Sequence, residues 1–248
     1  MPPASGKKSA SVEPSNPFVP GRGVLPPFLA GREPEQALVR GLLRELADGT
    51  PSGTDVILYG PRGNGKTALL EWALREAEKR KIGVLDIGLG ESEAEYSYGR
   101  EPSAMSRWLR ALSGLSVLGA AIKWREMPMD RIPAVLGRRA RKGPLLATVD
   151  EAQTLTLPFG RALLSAAQRC RRRQLPVMLL LAGTPDLPRH LNAIEATFWD
   201  RGRQLPVDRL GPDASVDAIQ IPIEERGRSI ARACAKTLRA PYIWANRT

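Results

Sequence analysis

Val56-Ile57-Leu58-Tyr59-Gly60-Pro61-Arg62-Gly63-Asn64-Gly65-Lys66-Thr67 is the stretch that decides the fold: an apolar run enters a turn of the form GxxxxGKT and leaves as an amphipathic segment. The run predicts a buried strand, and the 3.6-residue spacing beyond it a helix. Glycines at positions 60, 63 and 65 let consecutive backbone N–H groups converge on an anion. Lys66 is then placed to reach the β- and γ-phosphates and Thr67 to set its hydroxyl on Mg²⁺. The positive end of the helix faces the same phosphates. Gly60, Pro61, Arg62, Gly63, Asn64, Gly65, Lys66 and Thr67 are therefore the expected nucleoside triphosphate site.

Strand and helix go on alternating in both directions from this loop. A helix is expected over 33–47, with Leu38, Leu42, Leu43 and Leu46 on one face, ended by Asp48-Gly49-Thr50-Pro51. Strands are expected at 55–59, 82–87, 144–149, 177–182 and 205–210. Helical patterns fall at 66–80, around 103–122, at 130–141 and at 158–172. Buried strands alternating with helices predict an α/β fold, with a mainly parallel five-stranded sheet flanked by helices. Residues 1–27 are rich in Pro, Ser and Gly and read as an extended lead-in to a domain over 28–210. Residues 211–248 carry two short helical patterns, about 213–226 and 228–238, and read as a partial helical lid and tail.

The chain has 248 residues, 42% of them hydrophobic and 5% aromatic. That is enough for one large domain with a small appendage. Two cysteines, Cys170 and Cys234, make neither a disulfide framework nor a zinc-like spacing. No signal segment opens the sequence, and the longest apolar stretches, 115–122 and 175–183, are too short to cross a bilayer. A cytoplasmic protein without membrane contact is expected. The net charge of +11 allows a nucleic-acid partner. The densest runs, 138–142 and 169–173, would also sit at helix C-termini, where the helix dipole favours cations in any case.

A phosphate loop needs a second half, and Asp150-Glu151 at the end of the third strand is the candidate. Mg²⁺ keeps several waters and uses one or two protein oxygens, so Asp150 is the expected metal partner beside Thr67. Glu151 is the candidate base for the attacking water. Thr184, after the fourth strand, is placed to hold that water or sense the γ-phosphate, against the alternative of a plain turn between Gly183 and Pro185. Arg201 and Arg203 fall just before the fifth strand, where an arginine is either a finger reaching a neighbouring subunit's phosphate or part of an exposed basic face. His190 is the single histidine and reads as a surface residue.

With these residues in place, residues 16–225 resemble the AAA-type P-loop ATPases, and in particular the initiator-like, origin-recognition branch. The resemblance rests on Phe28-Leu29-Ala30-Gly31-Arg32-Glu33, the 60–67 loop and Val149-Asp150-Glu151-Ala152-Gln153. Leu181-Ala182-Gly183-Thr184-Pro185 and Phe198-Trp199-Asp200-Arg201 complete it. It implies that Gly31 and Arg32 lie near the adenine and that Asp150-Glu151 is a Walker B pair. It also implies that Thr184 is sensor 1 and Arg201 the finger. The stretch after Leu210 is shorter than the lid of such ATPases, and Arg228 is only a nominal sensor 2. The resemblance thus implies an ATPase using ATP and Mg²⁺, with a homo-oligomeric or protein partner. A non-hydrolysing nucleotide-dependent binding module and a DNA-associated ATPase of the initiation or transposition type stand as alternatives. No guanine-reading NKxD run occurs, which leans toward adenine, and a paired Glu151 suits water better than a substrate hydroxyl.

Overall fold

Parallel strands place all their C-terminal ends on one edge of a sheet, and this arrangement brings the distant motifs of the chain together. The computed structural model describes residues 16–18, 25–50, 54–87, 131–194 and 202–228. The elements are α1 (Glu33–Ala47), β1 (Val56–Tyr59), α2 (Lys66–Lys79), β2 (Gly83–Ile87), α3 (Arg131–Ala140) and β3 (Leu145–Val149). They continue as α4 (Leu157–Arg172), β4 (Val177–Gly183), α5 (Leu187–Ile194), β5 (Arg203–Pro206) and α6 (Pro212–Glu224). A single 3₁₀ turn, Ala152–Thr154, separates β3 from α4.

The chain divides into two compact units, Arg32–Arg209 and the pair of segments Met1–Gly31 and Leu210–Thr248. The larger unit holds one five-stranded sheet in the order β2-β3-β4-β1-β5, parallel throughout. The expected α/β fold and strand number therefore hold. β3 and β4 are buried along their whole length, which is why each reads as an unbroken apolar run rather than an alternating one.

Successive side chains point to opposite faces of the sheet. Ile57, Leu85, Ala147, Leu179 and Leu181 face a core completed by Leu136, Phe159, Leu163, Ala167 and Leu191 from α3, α4 and α5. Val56, Leu58, Val84, Leu146, Met178 and Leu180 face the other way, onto Val39, Leu43, Leu69 and Ala73 from α1 and α2. The sheet is thus sandwiched between two helical layers.

Four of the five expected strands match to within a residue or so. The fifth differs: β5 runs over Arg203–Pro206, not 205–210. It is an edge strand whose register is set by pairing Val56 with Arg203 and Tyr59 with Pro206, and its own residues are largely exposed. The apolar pattern that betrays a buried strand is therefore missing there, and the buried Val207 lies just beyond it. Arg203 consequently lies inside β5, at the edge of the sheet away from the phosphate loop. The helix α5 was not expected at all. The helical patterns at 103–122 and 228–238, apart from Arg228, lie outside the described residues. In the smaller unit, α6 agrees with the expected 213–226 pattern, and Gly31, with φ +62°, packs against Leu210 and Ala214. Among the described residues no helix is long and apolar enough to cross a membrane.

At the N-terminal edge of the sheet, Asp55 is buried just ahead of β1 and accepts both hydrogen bonds of an Arg171 Nη1 from the end of α4, at 2.6 and 2.7 Å. Its Oδ1 also accepts from the Leu179 backbone N–H at 2.8 Å, and its carbonyl from Arg203 N at 2.7 Å. Burial pushes the carboxyl above its ordinary value, opposed by the Arg171 charge and these donors. One residue thus joins β1, β4, β5 and α4, its side chain making the links to β4 and α4. Removing it strands a guanidinium at the rim of the core, so Asp55→Ala should lower the unfolding free energy by about 3 kcal/mol in urea titrations. A loss below about 1 kcal/mol, the range of an exposed pair, would contradict this role.

Candidate functional site

The phosphate loop sits at the C-terminal end of β1 and is tied to both neighbouring strands. Gly60 N–H donates to Gly183 O of β4 at 3.2 Å, and Asn64 Nδ2 donates to Val207 O, just past β5, at 2.9 Å. A Cβ on Gly60 would overlap the Val207 carbonyl, so the close approach of these two chain segments requires glycine. Gly63 and Gly65 take φ of +81° and +83°, the left-handed region that an L side chain resists. Gly65 is the N-cap of α2, so the first-turn N–H groups that lack partners within a helix point toward the loop's interior.

Arg32 braces this loop from behind. Its guanidinium is buried and donates to Asn64 O at 2.9 Å and to Asp208 O, with Glu35 at 3.4 Å. The resemblance implied an adenine-side position for Arg32. Its guanidinium donates to two backbone carbonyls, one in the loop and one after β5. Gly31 belongs to the other unit.

Lys66 is 9% exposed and folds back on its own loop, donating to Gly60 O at 2.8 Å and Pro61 O at 2.7 Å. Burial pushes its ammonium below the usual lysine range. The carboxylates of Glu151 and Asp150 oppose that shift, and Arg62 adds to it. Thr67, one residue on, donates its hydroxyl to Asp150 Oδ2 at 2.8 Å. The other carboxylate oxygen of Asp150 accepts from Glu151 N–H at 2.9 Å. A hydroxyl and a carboxylate in contact at a strand end are hard oxygen donors of the kind Mg²⁺ accepts. Among the described residues no cluster of three or more His, Cys, Asp or Glu side chains could hold a metal. Thr67 and Asp150 would supply two protein oxygens to Mg²⁺.

Glu151 has φ +50° and ψ +40°, a left-handed conformation rare for a residue with a side chain and costing about 1 kcal/mol. The 3₁₀ turn holds it there: both Thr154 N–H and Thr154 Oγ1 donate to Glu151 O at 2.8 Å. Gln153, which the sequence reading left without a role, donates from Nε2 to Glu151 Oε2 and accepts from Thr184 N–H at 3.1 Å. Residues from the start of α2 and the ends of β3 and β4 (Lys66, Thr67, Asp150, Glu151 and Thr184) thus meet at one edge. Arg201 lies outside the described residues. His190, expected at the surface, is half-buried in α5 with Nε2 at 2.7 Å from Leu155 O.

The sequence matches the family model described as an AAA ATPase domain over residues 29–181. No curated protein matches the chain. Among solved structures, the Aeropyrum pernix ORC2 protein in its ADPNP–ADP complexes is similar at TM-score 0.55 and 16% identity, covering 82% of this chain and 56% of that one. AMPPCP-bound DnaA from Aquifex aeolicus is similar at 0.54 and 16%, covering 89% and 57%. The replication initiator DnaA bound to AMPPCP and single-stranded DNA gives 0.54 and 16%, covering 90% and 60%. The chain therefore spans less than two thirds of these proteins, and at such identity the likeness is one of fold.

The desolvated lysine has a measurable consequence. Only the protonated ammonium attracts phosphate, so affinity for Mg·ATP should be full below the lowered Lys66 pKa. It should then fall as pH rises through it, earlier than an ordinary lysine would allow. Calorimetric titrations from about pH 7 to about pH 10 should trace this loss, and an affinity flat across that range would contradict it.

Proposed function

The chain belongs to the AAA ATPase domain family, and from that premise we propose that it binds ATP with Mg²⁺ and hydrolyses it to ADP and phosphate. The energy drives a conformational switch that changes a contact with a second copy of the chain or another protein. The observation that carries this reading is the meeting of Lys66 and Thr67, at the start of α2, with Asp150 and Glu151 at the end of β3.

In this reading the amides of residues 60–67 and the Lys66 ammonium hold the β- and γ-phosphates, drawing Lys66 off the Gly60 and Pro61 carbonyls. Thr67 and Asp150 would hold Mg²⁺, which supplies positive charge against the phosphate oxygens. Glu151 takes a proton from a water whose oxygen attacks the γ-phosphorus, while the bond to the β-phosphate oxygen breaks. The Thr184 hydroxyl holds that water or a γ-phosphate oxygen. Arg201, offered from a neighbouring copy, would complement the charge on the leaving phosphates.

Glu151→Gln should lower phosphate release by about a hundredfold or more while ATP still binds. Lys66→Ala should weaken binding itself by about 2 kcal/mol. Tight binding with no turnover in the unaltered chain would favour a nucleotide-gated binding module instead.

A second reading adds a nucleic-acid contact, and one observation favours it. The two basic runs converge: Arg141 from the end of α3 acts on the buried Cys170 thiol together with Arg169, Arg171 and Arg173 from α4. Arg138, Arg141, Arg169, Arg172 and Arg173 are exposed there, and arginine matches phosphate geometry well. DNA retention should then weaken with added salt, and Arg169→Glu combined with Arg172→Glu should abolish it. Retention unchanged in that double variant would remove this reading.

A further inference from the structure

Gln153 follows Glu151 by only two residues, yet its other end reaches the residue after β4. Its Nε2 donates to Glu151 Oε2, and its Oε1 accepts from the Thr184 backbone N–H at 3.1 Å, 31 residues away. The two ends face chemically opposite partners, a carboxylate oxygen of Glu151 and a backbone N–H of Thr184. A primary amide carries both functions on one flat group, and these two partners fix which end is oxygen. Glutamate at this position would set one carboxylate against another. Leucine would fill the space with neither function, and asparagine is one methylene shorter.

The backbone on both sides is shaped around this amide. Glu151 is held left-handed by the 3₁₀ turn, which brings residues 151 and 153 onto the same side. At the other end, a Cβ on Gly183 would overlap Gln153 Oε1 and press on Leu187 at 3.0 Å. Gly183 is also the residue whose carbonyl receives the Gly60 N–H that starts the phosphate loop. The amide therefore lies where the ends of β3 and β4 and the root of the loop meet.

We propose that Gln153 is a positioning residue: it holds the Glu151 carboxylate in place and couples it to the end of β4. Any displacement of Thr184 when a γ-phosphate arrives or leaves reaches Glu151 through one side chain. Only the part about base catalysis rests on the reading of Glu151 given above. The mechanical link between Glu151 and Thr184 stands without it.

The test separates the two. Mg·ATP turnover, KM and nucleotide affinity would be measured for the unaltered chain, Gln153→Leu, Gly183→Ala and Glu151→Gln. The Thr184 amide resonance would be followed in ¹⁵N-labelled protein. Gly183→Ala, at a residue tied to the phosphate loop through Gly60, should lower kcat and affinity together. Gln153→Leu should lower kcat by about tenfold, part of what a positioned base supplies, with KM and affinity nearly unchanged. A packing role alone would not split kcat from KM in this way. Glu151→Gln should move the Thr184 amide resonance in the unaltered background and leave it in place in the Gln153→Leu background, as coupling through the amide requires. If Glu151→Gln abolishes turnover while Gln153→Leu keeps kcat within about twofold, the positioning role is overturned and the base reading survives. If Glu151→Gln turns over normally, the base reading fails and the Thr184 resonance alone decides the link. A Thr184 response that persists in Gln153→Leu overturns the proposal in either case.

Discussion

The pairing of β1 between β4 and β5 is the constraint on which the rest of the site depends. With β1 parallel to both, Tyr59, Gly183 and Pro206 end at one level. The backbone leaving each strand has to share the same small space. Gly60 has no side chain because the Val207 carbonyl lies against it, and its N–H still pairs with Gly183. The anion-binding turn is thus the continuation of the sheet's hydrogen bonding past its last rung. Ligands of open parallel sheets collect at this edge because loop N–H groups and helix N-termini converge there.

How much of this was legible in the sequence depends on the range over which each interaction acts. The turn, its flanking strand and α2 are local, and the glycines and the lysine declare them. β3 and β4 were legible because strands buried on both faces must be apolar throughout. β5 was displaced because an exposed edge strand owes its register to its partner and not to its own pattern. The helix α5 is eight residues long, little more than two turns, and it opens after a Gly-Thr-Pro stretch that reads as a turn. The contacts of Arg32 with Asp208, and of Gln153 with Thr184, join residues far apart in the chain. No spacing rule connects such positions. Asp150 was expected beside Thr67 from its place at a strand end, and the two side chains are in hydrogen-bond contact. The left-handed backbone of Glu151 was not legible, since nothing in an Asp-Glu-Ala-Gln run requires it.

Opposed tendencies hold the charged groups in register. Lys66 loses hydration in the loop and is held by two backbone carbonyls, with the carboxylates of Glu151 and Asp150 supplying opposite charge nearby. Neutral carbonyls are weaker partners for an ammonium than phosphate oxygens, because charge-assisted hydrogen bonds are roughly twice as strong. On the proposed reading, exchanging the former for the latter would move one flexible side chain and give the ammonium stronger partners than the carbonyls.

That exchange is favourable only if the loop keeps its shape when the lysine leaves the carbonyls. Arg32 and the Asn64 side chain provide for this: Arg32 grips Asn64 O and Asp208 O, and Asn64 Nδ2 grips Val207 O. The turn is therefore braced against the segment after β5 by side-chain donors committed to backbone carbonyls. A loop braced in this way loses little conformational freedom when a ligand arrives, so more of the gross interaction is realised as affinity. The same logic explains why a buried arginine is tolerated there. Its guanidinium reaches two backbone acceptors and Glu35, and fixes two chain segments in the geometry that the charges of the site require.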